Sequence, residues 1–176
     1  MTGEEAYYYR ILLQNGFSDE YNEWLSERLE EEDPLSDIVL ELSFCSSDLN
    51  KTISLLLSFA RKQGFDSKTV CEKLRLFLKE AHHSHKMSKD EVLCYMYTFA
   101  RDYGDLDDAD FDAWESMYDM SFYYDLADGG VIDKEKLDSA FHAYLDFGIP
   151  IDSKTLWKQK KTPVSLWSRI KSRFVK

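Results

Sequence analysis

The chain has 176 residues and a formal net charge of −11, long enough for one domain with a real hydrophobic core and too acidic overall for strong attraction to nucleic-acid phosphates. Hydrophobic residues at 44% beside charged residues at 31% exclude a disordered chain. Three cysteines, Cys45, Cys71 and Cys94, exclude a complete disulfide framework.

A first helix is expected over residues 4–14, stopped by Asn15-Gly16. Ser18 caps a second that runs through Tyr21, Trp24, Leu25 and Leu29 and ends before Pro34. Apolar residues at 35, 38, 39 and 42 give helical spacing over residues 35–44. Asp48 caps a helix through Ile53, Leu56, Leu57 and Ala60, ended by Gly64, and Ser67 caps the next, with Val70, Cys71, Leu74, Phe77, Leu78 and Ala81 on one stripe.

The clearest start is Ser88-x-x-Glu91, a capping box before the stripe Val92, Tyr95, Met96, Phe99 and Tyr103, closed by Gly104. Phe111, Trp114, Met117 and Tyr118 predict a further helix, with a separate short turn over residues 122–127 and a break at Gly129-Gly130. Asp133 caps a helix through Leu137, Ala140, Phe141, Tyr144 and Leu145, stopped by Gly148 and Pro150. Strand signals are poor. The expected fold class is all-α, a compact multi-helix bundle or irregular stack of antiparallel helices, with room for a minor strand pair. The expected core includes Val39, Leu42, Leu56, Phe59, Leu74, Phe77, Leu78, Tyr95, Phe99, Phe141 and Leu145.

Charge divides the chain. Residues 1–50 hold 13 acidic and 2 basic side chains, whereas after Asp152 there is no acidic residue, only Lys154, Lys158, Lys160, Lys161, Arg169, Lys171, Arg173 and Lys176. Residues 1–157 are therefore expected as an acidic helical domain. Residues 158–176 form a basic helix or tail, with Trp167, Ile170 and Phe174 at spacings of 3 and 4. That pattern also suits a membrane surface or RNA, but the overall charge opposes nucleic acid, and the expectation is a tail docked on the acidic body. Residues 1–10 lack the apolar core of a signal peptide, and the apolar run near Leu55 is far too short to span a membrane, so the expected compartment is the cytoplasm.

Chemistry-bearing motifs are weak. His82, His83 and His85 have ligand chemistry, but His-His-Ser-His is no zincin motif, and a helix C-terminus suits imidazoles without a metal. The carboxylates at Asp102, Asp105, Asp107, Asp108, Asp110 and Asp112 lack the central glycine and twelfth-position glutamate of a calcium loop. A frame starting at Asp125 places Gly130 correctly and then Lys136 at the twelfth position. Asp125 and Asp128 lie one helical turn apart, a spacing at which carboxylates can split acid and base roles, but an acidic chain holds many such pairs. No nucleophile elbow, Walker loop or dinucleotide loop is present, so no catalytic residue, cofactor or metal is expected.

The richest composition is the carboxylate run ending at Asp112 followed by Trp114, Tyr118, Phe122, Tyr123 and Tyr124. Tyr and Trp give rigid contact area, and carboxylates attract Lys and Arg on a partner. The expected partner-binding set is Asp105, Asp107, Asp108, Asp110, Trp114, Tyr118, Tyr123 and Tyr124, weighed against the plainer reading that the aromatics fill the core.

Two stretches, Leu35-Ser36-Asp37-Ile38-Val39-Leu40-Glu41-Leu42 with the Asp48-Leu49-Asn50 helix start, and Ser88-Lys89-Asp90-Glu91-Val92 through Tyr103, resemble small helical bacterial proteins of the polymorphic-toxin immunity type. The resemblance covers much of residues 35–157 and carries no catalytic motif. It implies a cytoplasmic inhibitor that binds one cognate toxin, often over a basic active-site surface. Three readings remain, in order: a protein-binding module of this kind; a structural or regulatory helical protein with another partner; and a hydrolase or metal protein using acidic residues.

Overall fold

The computed structural model describes residues 1–31, 33–104 and 111–157. Side-chain caps set most of the helix starts. Thr2 and Glu5 form a capping box ahead of α1 (Gly3–Gln14), and Ser88 and Glu91 form another ahead of α6 (Lys89–Tyr103). Aspartates cap α4 (Leu49–Gln63), α8 (Lys134–Phe147) and the single turn α9 (Ser153–Leu156) from positions 48, 133 and 152. An aspartate also caps α5 (Ser67–His83): Asp66 accepts from the Lys68 and Thr69 amides, so the expected cap at Ser67 moves back one residue, and Ser67 becomes the first helical position. The remaining helices are α2 (Asp19–Glu31), α3 (Asp37–Cys45) and α7 (Phe111–Asp128).

The described residues form an all-α bundle without a sheet, and the minor strand pair reduces to one antiparallel bridge between Ile132 and Trp157. α1 is the shared wall. Ala6 and Leu13 face a smaller core with Tyr21, Trp24, Val39, Leu42, Leu56 and Ala60, while Tyr8, Ile11 and Leu12 face a larger core built by α5 to α8. α1 approaches α4 so closely that a Cβ on Gly3 would lie 1.9 Å from the Gly64 carbonyl oxygen, which only glycine tolerates.

Of the expected core, Val39, Leu42, Leu56, Leu74, Leu78, Phe99, Phe141 and Leu145 are fully buried. Phe59, Phe77 and Tyr95 are only half-buried and pack at the core's edge. Phe17 closes over two of them, its ring 5.0 Å from Phe77 and 4.8 Å from Tyr95. α7 departs from expectation. Residues 111–128 contain neither glycine nor proline, so the expected turn over residues 122–127 continues the preceding helix without a break.

One buried charge ties the helices together. Arg75 of α5 donates to the Leu145 and Tyr144 carbonyls at the C-terminal end of α8, and to both Glu72 carboxylate oxygens at 2.8 and 2.5 Å. A guanidinium suits the negative end of a helix dipole. The hydrogen bonds from Arg75 in turn hold the Glu72 carboxyl below its usual range. The basic stretch 158–176 lies outside the described residues.

Candidate protein-binding face

α6 and α7 run antiparallel. Tyr97 meets Tyr118, ring centroids 5.4 Å apart, while at the other end Lys89 stands over Tyr124, its Nζ 4.1 Å from the ring centre. The inner side of α7 supplies Trp114, Met117, Met120 and Ala127 to the core. The Trp114 indole is fully buried and donates from Nε1 to Ser67 Oγ at 2.8 Å. Trp114 therefore leaves the expected partner-binding set: its ring is core, and it cannot meet a partner without the helix coming away.

The outer side of α7 remains aromatic. Tyr118, Tyr123 and Tyr124 are half-buried, and Phe122 is 56% exposed between Asp119 and Asp125. An ordinary surface helix is polar on that side. Two adjoining hollows of 490 and 610 Å³ run between α6 and α7 and share Tyr97, Ser121 and Asp125. Together they form one shallow groove. Asp90, Cys94, Asp128 and Lys134 line one end, and Tyr118, Asp119 and Phe122 line the other.

The groove walls are fixed by paired charges. Asp138 of α8 accepts from Lys89 Nζ and from the Tyr124 hydroxyl at 2.7 Å. Lys89, then Tyr124, hold the Asp138 carboxyl below its usual range, while burial and Asp138 push the Tyr124 hydroxyl well up, so it stays a donor. Lys134 pairs with Asp128 at 2.9 Å, and Tyr123 donates to Asp119 at 3.2 Å. Both lysines are thus matched by a carboxylate, and Asp90, Asp119 and Asp125 add further negative charge. This arrangement can receive a cationic side chain beside an apolar one. The Asp125 and Asp128 carboxylates line the same groove, with Asp128 engaged by Lys134.

The expected acidic contributors Asp105, Asp107, Asp108 and Asp110 lie outside the described residues, in the link between α6 and α7. Tyr118 and Tyr124 do come together on the α6–α7 groove, joined by Tyr97, Phe122 and Asp125, which were not in the expected set, whereas Tyr123 is not among the groove's lining residues and donates to Asp119. Tyr97 had a legible signal: it is an aromatic off the Val92–Met96–Phe99 stripe, on the side of α6 that should be polar.

The histidines are engaged locally. His82 Nδ1 lies 3.3 Å from the Met87 carbonyl oxygen, and His83 Nε2 lies 2.7 Å from Asp146. Among the described residues no three His, Cys, Asp or Glu side chains converge as a metal site would require. None of the described helices is long and apolar enough to cross a membrane. A second hollow of 430 Å³ lies between α3 and α4, where Phe44 is 77% exposed. Comparison of the chain with protein families, with curated proteins and with solved structures finds no match.

Proposed function

We propose that this chain is a non-enzymatic protein-binding module whose α6–α7 face takes a basic partner, and that its particular role is that of an immunity protein neutralising a cognate toxin in the cytoplasm. The observation that carries the reading is α7 itself. Its inner side already fills the core with Trp114, Met117 and Met120, yet its outer side keeps Phe122 in water between Asp119 and Asp125. An exposed ring among carboxylates fits a contact in which charge steers the encounter and a buried ring slows dissociation. The toxin-directed part of the proposal comes from the resemblance of residues 35–50 and 88–103 to immunity proteins, and the acidity of the body accords with a basic target.

The test is capture of partners on the full chain and on an Asp119→Asn/Asp125→Asn variant, with association measured across a salt series. The wild type should retain a basic protein whose association slows in the variant, and raised salt should erase the difference. Identical partners with identical association rates would overturn the reading.

A further inference from the structure

The described fold ends at Trp157, whose backbone bridges Ile132. Two residues on from Ile132, Lys134 lines the α8 end of the α6–α7 groove beside Asp128. The chain therefore leaves the fold next to one mouth of the groove. Residues 158–176 continue from that point with seven basic side chains, no acidic one, and an apolar series at Trp167, Ile170 and Phe174. The groove has the complementary character: carboxylates at Asp90, Asp119 and Asp125, lysines already matched by carboxylates, and rings at Tyr97 and Phe122. Reach is ample. Ten helical residues separate Asp128 from Tyr118, about 15 Å, whereas residues 158–176 would extend about 28 Å even if wholly helical.

We propose that residues 158–176 dock in the α6–α7 groove of their own chain, so that a basic partner must displace them. The proposal rests on the reading of that groove as a site for basic segments with an apolar face, and it adds how the site is held when no partner is present. Attachment at the groove's mouth gives the tail a high effective concentration, so modest intrinsic affinity suffices. A partner then binds with an apparent affinity reduced in proportion to the fraction of chains whose groove is open.

Cys94 supplies the probe. It is exposed and lines the groove, whereas Cys45 and Cys71 are buried. The measurement is the rate at which a neutral maleimide modifies Cys94 in the folded full chain, with Cys94→Ser as the blank. Two variants are compared with the wild type: Trp167→Ser/Ile170→Ser/Phe174→Ser, and Arg169→Glu/Lys171→Glu/Arg173→Glu. Both alter residues outside the described fold, and circular dichroism with thermal melting checks that the helices persist. If the groove is about nine-tenths occupied, either variant should react roughly tenfold faster than the wild type. Salt should raise the wild-type rate toward theirs. Equal rates in all three chains would overturn the proposal. Protection that grows with protein concentration would also overturn it, because the occupant would then be a second copy. Equal rates together with salt-dependent loss of a basic partner in the Asp119→Asn/Asp125→Asn variant would sink tail docking and leave the protein-binding reading standing.

Discussion

Around α5 to α8, Trp114 donates to Ser67 and Arg75 bridges α5 to the end of α8, while Arg10 of α1, stacked over Tyr103, keeps its buried Nε without a hydrogen-bond partner among the described residues. Around α2 and α3, Trp24 Nε1 and the Tyr21 hydroxyl are buried without a hydrogen-bond partner among the described residues, although the two rings lie 6.2 Å apart and pack with Tyr9. Both halves share α1, so the difference is not one of exposure to solvent. The larger half is specified by directional bonds as well as apolar packing; in the smaller half Thr52 of α4 donates to the Cys45 carbonyl of α3 at 2.9 Å, but the Tyr21–Trp24 cluster rests chiefly on packing. A binding face works best on a rigid support, and the α6–α7 groove lies on the half with the matched polar groups.

Substitutions in the two halves should therefore differ in size. The largest effect is expected at Trp114, where alanine removes a fully buried indole and leaves Ser67 without its donor. A loss of about 3–5 kcal/mol is expected, read as a lower midpoint in urea melts. A loss below about 1 kcal/mol would mean the α7 inner face is not the centre of the larger core. Next comes Gly3→Ala at the seam between α1 and α4. The new methyl would meet the Gly64 carbonyl, and since backbone must move, about 1–3 kcal/mol should be lost. A neutral result would show that α1 and α4 do not approach so closely.

A smaller effect, below about 1 kcal/mol because the pair is partly exposed, is expected from Asp138→Asn. Its sign comes from the depressed carboxyl. Stability from Asp138 is present above the unfolded value, about 3.9, and is lost as pH falls through the lower folded value. The variant should be less stable than the wild type at neutral pH, and the gap should close in melts below about pH 4. The smallest effect is expected from Tyr21→Phe, within about 0.5 kcal/mol, since the hydroxyl removed has no partner among the described residues. A loss of about 2 kcal/mol there would contradict the contrast between the two halves.

The same contrast explains what is legible in the sequence. Helices with one apolar stripe and a side-chain cap, α5 and α6 above all, can be drawn to within a residue, because periodicity and capping are local. α7 cannot. Its continuity is readable only from the lack of glycine and proline over residues 111–128; with apolar residues on nearly every side it has no single stripe, so its inner face is not, and composition assigns Trp114 to a partner's surface when it belongs to the core. Phe59, Phe77 and Tyr95 fall on the correct stripes but sit at the core's edge, because burial depends on what crosses over a position, and Phe17 comes from a distant loop. The aromatic–acidic face is visible as composition. Its shape is not, because Tyr97 and Asp125 meet only through the α6–α7 pairing.

In each half an exposed ring lines a hollow, Phe122 on α7 and Phe44 on α3. That pair permits the most direct test of the claim that the α6–α7 groove is the partner face. With the captured basic partner, equilibrium affinity is measured for Phe122→Ser and Phe44→Ser, each checked for an unchanged melt. The account predicts a loss of roughly thirtyfold for Phe122→Ser, as a hot spot of about 2 kcal/mol gives, and no change for Phe44→Ser. Wild-type affinity in Phe122→Ser with a large loss in Phe44→Ser would contradict it and move the partner to the α3–α4 face.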